Sequence, residues 1–322
     1  MELRKLGSTG LEVGAMGLGC MPMTADYIRP EEINEPEALA AIHRALERGV
    51  TLLDTAEEYG PYTNEVLVGK AIKGWRSRVV IATKFGILGG VDGTPENARR
   101  VAEASLKRLD VDVIDLYYLH RRDPKVPIEE TVGAMADLVK AGKVRYLGLS
   151  EVGPVTIRRA HAVHPIAALQ SEYSLFERGI EAEIMPTLRE LGIGLVPFSP
   201  LGRGFLAGAF KDAAELPDTD FRQNIPRFKG ENAKANLRAL EGVRNVAARH
   251  RVTHAQVALA WVLAQGQDVV PIPGTRRRER LDENLDALDL HLTAGDLMEL
   301  DRLAGMVVGE RYLPKQLSMV ER

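Results

Sequence analysis

Asp54, Lys84 and His120 each close an apolar, β-rich run, and Tyr59 follows the first of them by five positions. Side chains of these four types gathered at one mouth make an acid–base set. A lone phenol is a poor proton donor at neutral pH, its unperturbed pKa lying near about 10. A neighbouring ammonium stabilises phenolate and lowers that value, and a carboxylate beside the ammonium keeps the lysine charged and placed. An imidazole at the same mouth can hydrogen-bond a carbonyl oxygen. Together the four would polarise a carbonyl and deliver a proton to its oxygen as negative charge develops there. Taken singly, each residue has a plainer role: Asp54 as a cap on the next helix, Lys84 as a snorkelling charge, His120 as a satisfied core-edge histidine, Tyr59 as a loop aromatic. Their coincidence in one mechanism is what points to chemistry.

Other run ends carry Ser150, Gln170 and the Phe198-Ser199 pair. Beyond the last of the runs, Gly274-Thr275-Arg276-Arg277-Arg278-Glu279-Arg280 sets a glycine, a hydroxyl and four arginines at the start of a helical pattern that continues through Glu283-Asn284. Backbone N–H groups at a helix start, together with guanidinium groups, form an anion site; a solvated basic face is the plainer alternative. Ser199-Pro200-Leu201-Gly202-Arg203-Gly204 is a glycine-rich turn with one cation that could cradle a pyrophosphate. Gly202, Gly204 and Gly208 form only a loosened dinucleotide fingerprint with no clear ribose-binding acid after it, so a Rossmann reading comes second.

Eight β-rich runs position these residues: 15–20, 51–56, 79–84, 113–120, 144–150, 167–173, 194–200 and 268–274. Between them lie amphipathic stretches at 36–48, 97–109, 128–140, 180–191 and 232–250, with apolar residues at three- and four-residue intervals. Thr94-Pro95-Glu96 and Thr253-His254-Ala255-Gln256 read as helix starts. Strands alternating with helices predict parallel pairing through helical crossovers. The count of eight and the absence of a linker favour a closed (β/α)8 TIM barrel over a doubly wound sheet, with residues 1–322 as one domain. Gly7-Ser8-Thr9-Gly10, flanked by Leu3/Leu6 and Leu11/Val13, predicts an N-terminal β-hairpin covering the N-terminal end of the barrel. The irregular stretch 212–230 reads as a functional lid or a disordered loop, and substrate specificity is expected to lie in the loop at 25–35, in that stretch and in the tail after Gly309.

The 322 residues carry 42 Lys+Arg against 45 Asp+Glu, a net charge of −3. That balance gives no electrostatic reason to expect nucleic acid or a membrane surface as partner. Cys20 is the only cysteine, which excludes an intrachain disulfide and a cysteine-rich metal site. The longest apolar run, Val257 to Ala264, falls far short of the about 20 residues a membrane helix needs. The histidine pairs at 161/164 and 250/254 lack a metal-binding arrangement, so no metal is expected, and no G-x-S-x-G elbow is present. The expected location is cytoplasmic; oligomeric state is left open.

The chain resembles the aldo-keto reductases along essentially its full length, and most closely the bacterial and plant reductases of the auxin-induced-protein-like type. The motifs are Leu6-Gly7-Ser8-Thr9-Gly10-Leu11-Glu12-Val13, Asp54-Thr55-Ala56-Glu57-x-Tyr59-Gly60, Ala82-Thr83-Lys84 and Asp115 to His120. They continue with Gly142 to Ser150, Gln170-Ser171-Glu172-Tyr173, Ser199 to Gly204, and Glu283-Asn284. The resemblance implies NADPH-dependent reduction of aldehydes and ketones by direct hydride transfer, without a metal. Tyr59 would be the general acid, Lys84 would lower its pKa, Asp54 would pair with Lys84, and His120 would orient the carbonyl. Ser150 and Gln170 would hold the nicotinamide carboxamide, and Thr275, Arg276, Arg280 and Asn284 the adenosine 2′-phosphate and adenine. Phe198, Ser199, Pro200, Leu201, Gly202, Arg203, Gly274 and Glu283 complete the implied cofactor set. Three positions depart from the common pattern: Glu151 where many members have Asn, Phe198 where a Tyr commonly stacks, and Gly274 in place of a phosphate-binding Lys. The same resemblance reaches potassium-channel beta subunits, so a slow-turnover redox sensor is the alternative; a barrel lyase or isomerase using Lys84 as a Schiff-base amine is a third.

Overall fold

A computed structural model describes residues 1–24 and 33–321. Seven strands run in one parallel sheet in chain order: β3 (Leu18–Gly19), β4 (Leu52–Asp54), β5 (Val80–Phe85), β6 (Ile114–Leu119), β7 (Val144–Ser150), β8 (Ile166–Glu172) and β9 (Gly194–Phe198). Consecutive order with parallel pairing is the signature of a barrel wound by right-handed crossovers. The crossovers contain α1 (Glu35–Glu47), α2 (Thr63–Ala71), α3 (Pro95–Leu109), α4 (Ile128–Lys140), α5 (Pro154–Val163) and α6 (Ile184–Leu191). The start of α3 shows how the sequence sets a boundary. Thr94 accepts from the Asn97 amide, Pro95 fills the first turn where its missing N–H costs nothing, and Asp110 ends the helix at φ 56°.

The expected eighth strand at 268–274 does close the ring, but through isolated parallel bridges at Val269 and Gly274 rather than as a regular strand. The reason is its prolines. Val270 and Ile272 donate to Leu195 and Pro197 of β9, whereas Pro271 and Pro273, facing β3, have no N–H to give and only accept from Gly17 and Gly19. Gly19 permits the close approach: a Cβ there would lie 2.9 Å from the Ile272 carbonyl oxygen. The fold is therefore the anticipated (β/α)8 barrel with one seam half-bonded.

The anticipated hairpin is also present, β1 (Leu3–Leu6) pairing antiparallel with β2 (Leu11–Gly14) in the register Leu3↔Gly14 to Leu6↔Leu11. Its buried Leu6, Leu11 and Val13 join Leu52, Ala82, Leu116, Ala168, Val196 and Val270 in the barrel interior and plug one end. Gly7, at φ +69°, leaves room for that docking, since a Cβ would fall 2.3 Å from the Gly192 carbonyl oxygen.

Two helix boundaries differ from the periodicity. The stretch 232–250 is two helices, α7 (Gly230–Ala239) and α8 (Glu241–His250). The buried Asn236 amide bonds the Arg227 and Val308 carbonyls, and the Leu240 N–H is shared between the carbonyls of Asn236 and Leu237, which tightens the turn between them. Helix α6 starts at Ile184 rather than 180, because Glu181 is tied to Tyr173 and Arg178 in a preceding turn. The stretch 212–230 folds into three short 3-10 turns, with Ile225 and Phe228 buried. After it come α9 (His254–Leu263), begun by the Thr253/Gln256 capping box, then α10 (Arg278–Leu285), α11 (Ala294–Asp301) and α12 (Pro314–Leu317). No helix among the described residues is long and apolar enough to cross a membrane.

Candidate active site

Strand periodicity builds the site. Leu52, Ala82, Leu116, Ala168, Val196 and Val270 point into the barrel, so residues two steps further on point the same way, one layer nearer the C-terminal mouth. Those residues are Asp54, Lys84, Tyr118, Gln170, Phe198 and Ile272, and a further step brings His120 and Gly274. The interior apolar plug thus hands over to a polar layer where barrel enzymes carry their chemistry.

Within that layer Lys84 is fully buried and its Nζ donates to Asp54 Oδ1 at 2.5 Å, the Thr55 carbonyl at 2.9 Å and Tyr59 Oη at 3.1 Å. Gln170 Nε2 donates to the other Asp54 oxygen at 2.7 Å. Burial pushes the Asp54 carboxyl up, opposed by Lys84 and the Gln170 hydrogen bond, and pushes the Lys84 ammonium down, opposed by Asp54. Each charge is therefore tolerable only because the other is present. The ring of His120 meets Tyr59 edge to face, centroids 6.1 Å apart. Its proton affinity is held well below the usual range by burial, then by the positive charges of Arg121 and Lys84, so the imidazole is neutral at pH 7.

That shift has a stability consequence. Below about pH 6.5 the unfolded imidazole takes a proton that the folded one refuses, so stability is lost as pH falls through that value. A His120→Gln variant should therefore lose less melting temperature between pH 7 and pH 5 than the wild type, measured by calorimetry at both values.

A cavity of about 750 Å³ opens over this layer. Asp54, Tyr59, His120, Ser150 and Gln170 line one part of it. Phe198, Ser199, Pro200, Leu201 and Arg203 line it too, as do Gly274, Thr275, Arg276, Arg280, Glu283 and Asn284. Two of the expected residues lie outside that wall. Lys84 sits beneath Tyr59 and Asp54, and Gly202 is buried at φ +53° against Leu206, with Gly204 lining the cavity in its place. Glu151 is absent from the wall as well. Its carboxylate accepts from Arg311 at 2.5 and 3.0 Å and from the Glu172 amide at 2.7 Å, which anchors the C-terminal segment to the barrel.

The arginine-rich end tests what this cavity accommodates. Arg276, Arg277 and Arg280 line it together, and no ion pair involves Arg277 or Arg280 among the described residues. Burial, then repulsion from Arg277, lowers the proton affinity of Arg280. Thr275 Oγ1 accepts from the Arg277 amide and fixes the turn into α10. Arg276 pairs with Glu37 at 3.7 Å and Glu283 shares the wall, yet Arg277 and Arg280 have no such partner among the described residues; guanidinium groups clustered in this way at a helix start suit a phosphate-bearing ligand. Arg121, Glu58 and Phe210 also line the cavity, and the sequence reading did not include them; Tyr312 lines it too and falls in the tail after Gly309, where specificity is expected. Arg121 follows a strand-end histidine and was within reach of the strand-end rule. Tyr312 lies in a tail with no strand or helix signal to place it.

Comparison with known proteins agrees with this architecture. Residues 15–304 match the Aldo/keto reductase family. The chain is 50% identical over 318 residues to the "Probable aldo-keto reductase 1" of Glycine max, covering 96% of this chain and 91% of that one. Among solved structures it superposes on the glycerol dehydrogenase of Gluconobacter oxydans with a TM-score of 0.86 at 28% identity, covering 97% and 98% of the two chains. It also superposes on an aldo/keto reductase from Klebsiella pneumoniae in complex with NADP and acetate, with a TM-score of 0.74 at 29% identity over 94% and 96%. With barrel, polar layer and sequence match all in register, the chain belongs to the aldo/keto reductase family.

Proposed function

We propose that this protein is an NADPH-dependent reductase of aldehydes and ketones in which Tyr59 donates the proton to the carbonyl oxygen. The observation that carries the reading is Lys84 Nζ, 3.1 Å from the Tyr59 oxygen and 2.5 Å from Asp54. An ammonium at that distance favours the phenolate left behind when Tyr59 gives up its proton. Asp54, held by Gln170, keeps Lys84 charged in a dry layer. The neutral His120 donates a hydrogen bond to the same carbonyl oxygen and steers it toward Tyr59. NADPH, when bound, supplies the hydride that reduces the carbonyl carbon. Arg276 and Arg280 hold its 2′-phosphate, Thr275 and Asn284 the adenosine end, and Ser150 with Gln170 the carboxamide.

Full burial of Lys84 behind Tyr59 and Asp54 speaks against a Schiff-base role, because the amine does not line the cavity. The reductase reading is tested by following NADPH absorbance with a reactive aromatic aldehyde. Turnover supports it; tight NADPH binding without turnover on any carbonyl would instead support a slow redox sensor. Arg280→Ala should raise the dissociation constant of NADPH about 10- to 100-fold, the range of a lost charge-assisted contact, and that of NADH far less. Cofactor fluorescence titration reads both, and equal losses would place the 2′-phosphate elsewhere.

A further inference from the structure

Among the described residues four arginines are at least nine-tenths buried: Arg4, Arg121, Arg227 and Arg311. Three have an evident reason. Arg227 pairs with Glu177, Arg311 pairs with Glu151 and Glu172, and Arg4 caps the carbonyls of Leu263, Gly266 and Val269 far from the cavity. Arg121 differs. Its Nη1 donates to the His120 carbonyl at 2.6 Å and to Ser150 Oγ at 3.0 Å, which fixes the guanidinium between two residues of the polar layer. No carboxylate lies within ion-pair distance of it among the described residues, and the side chain lines the cavity. The nearby Glu151 has both oxygens committed to Arg311. A buried cation is expensive unless a counter-charge meets it, and none of the described residues supplies one to Arg121.

We propose that Arg121 is an anion-recognition site for the substrate, selecting carbonyl compounds that also carry a carboxylate. The proposal rests on the reductase reading of the cleft. The carbonyl engages Tyr59 and His120, and the carboxylate accepts from the guanidinium N–H groups that Nη1 leaves over. Phe210, Leu216 and Tyr312 on the same cavity wall offer apolar surface to the body of such a molecule. Glu58 also lines the cavity, but its side chain is 41% exposed, so water screens its repulsion. The buried Arg121 is screened far less, and its attraction decides the selectivity.

The test compares 4-carboxybenzaldehyde, a carboxylate at neutral pH, with its methyl ester, which keeps the ring and the aldehyde position but is neutral. The electron-withdrawing ester makes its aldehyde the more electrophilic, so any preference for the acid must come from the protein. The wild-type enzyme should favour the acid by about tenfold or more in kcat/KM, mostly through KM, as expected for one charge-assisted contact. Arg121→Met should bring the ratio of acid to ester to unity or below, and Arg121→Lys should retain part of it, because charge without the planar fork is kept. NADPH affinity, titrated by fluorescence, should move far less than the KM of the acid. A wild-type ratio at or below one, a ratio unchanged in Arg121→Met, or an NADPH loss matching that of the acid would each overturn the proposal; the last would assign Arg121 to the cofactor. Reduction of the ester alone would uphold the reductase reading while defeating this one. If neither aldehyde turns over, the reductase reading fails on these substrates. Binding of acid and ester to the NADPH complex then decides the anion site: preference for the acid lost in Arg121→Met supports it, and equal binding overturns it.

Discussion

Tyr59→Phe should lower kcat for aldehyde reduction by about 10²- to 10⁴-fold, the span attributed to a positioned general acid, while leaving NADPH affinity unchanged. The substitution keeps the ring that meets His120 edge to face and removes only the hydroxyl. Lys84 keeps its bonds to Asp54 and the Thr55 carbonyl, so the buried charge pair survives and the fold has no cause to change. The loss should therefore fall on kcat and not on melting temperature. Steady-state kinetics with a cofactor titration checks it. Activity comparable to the wild type would remove Tyr59 from the acid role.

Lys84→Met should abolish turnover to a similar degree and also destabilise the protein by about 3–5 kcal/mol, because removing one member of a buried pair strands the other charge. Asp54 would keep only the Gln170 hydrogen bond in a site where burial already pushes its carboxyl up. Adding Asp54→Asn to Lys84→Met removes the stranded charge and should recover most of the stability, since neutral replacements of a buried pair are often tolerated. It should recover none of the activity, because no ammonium then faces the phenol. Denaturant unfolding and NADPH consumption on the two variants separate these effects. Parallel recovery of stability and activity in the double variant would show that Lys84 serves the fold and not the chemistry.

Local patterns carried the frame and the polar layer. Continuous apolar runs closed by Asp54, Lys84 and His120 mark the strand ends in the chain, whereas the two-residue strand period that makes Leu52, Ala82 and Leu116 interior residues and aims Asp54, Lys84 and Tyr118 at one mouth is seen only in the fold. Turn chemistry did the same for the hairpin. Periodicity alone could not distinguish a regular eighth strand from the proline-bearing seam at 268–274, although the prolines themselves were there to read. Nor could it show that Glu151 turns to meet Arg311, 160 positions later, or that Tyr312 returns to the cavity wall. Those placements depend on long-range ion pairs with no local periodicity. The expectation that specificity lies partly in the loop at 25–35 concerns residues mostly outside those described, whereas the stretch 212–230 contributes Leu216 and Arg222 to the cavity and the tail after Gly309 contributes Tyr312.

The most direct test of the proposed chemistry is transfer of label. The protein, an aromatic aldehyde and NADPH deuterated at nicotinamide C4 are incubated, and the product alcohol is examined by mass spectrometry. Direct reduction in this cleft predicts a stereospecific transfer: one deuterium on the carbinol carbon from one C4 epimer of the cofactor and none from the other. NADPH that stays bound while no carbonyl in a broad panel acquires label would contradict the account and leave this barrel as a cofactor-binding sensor.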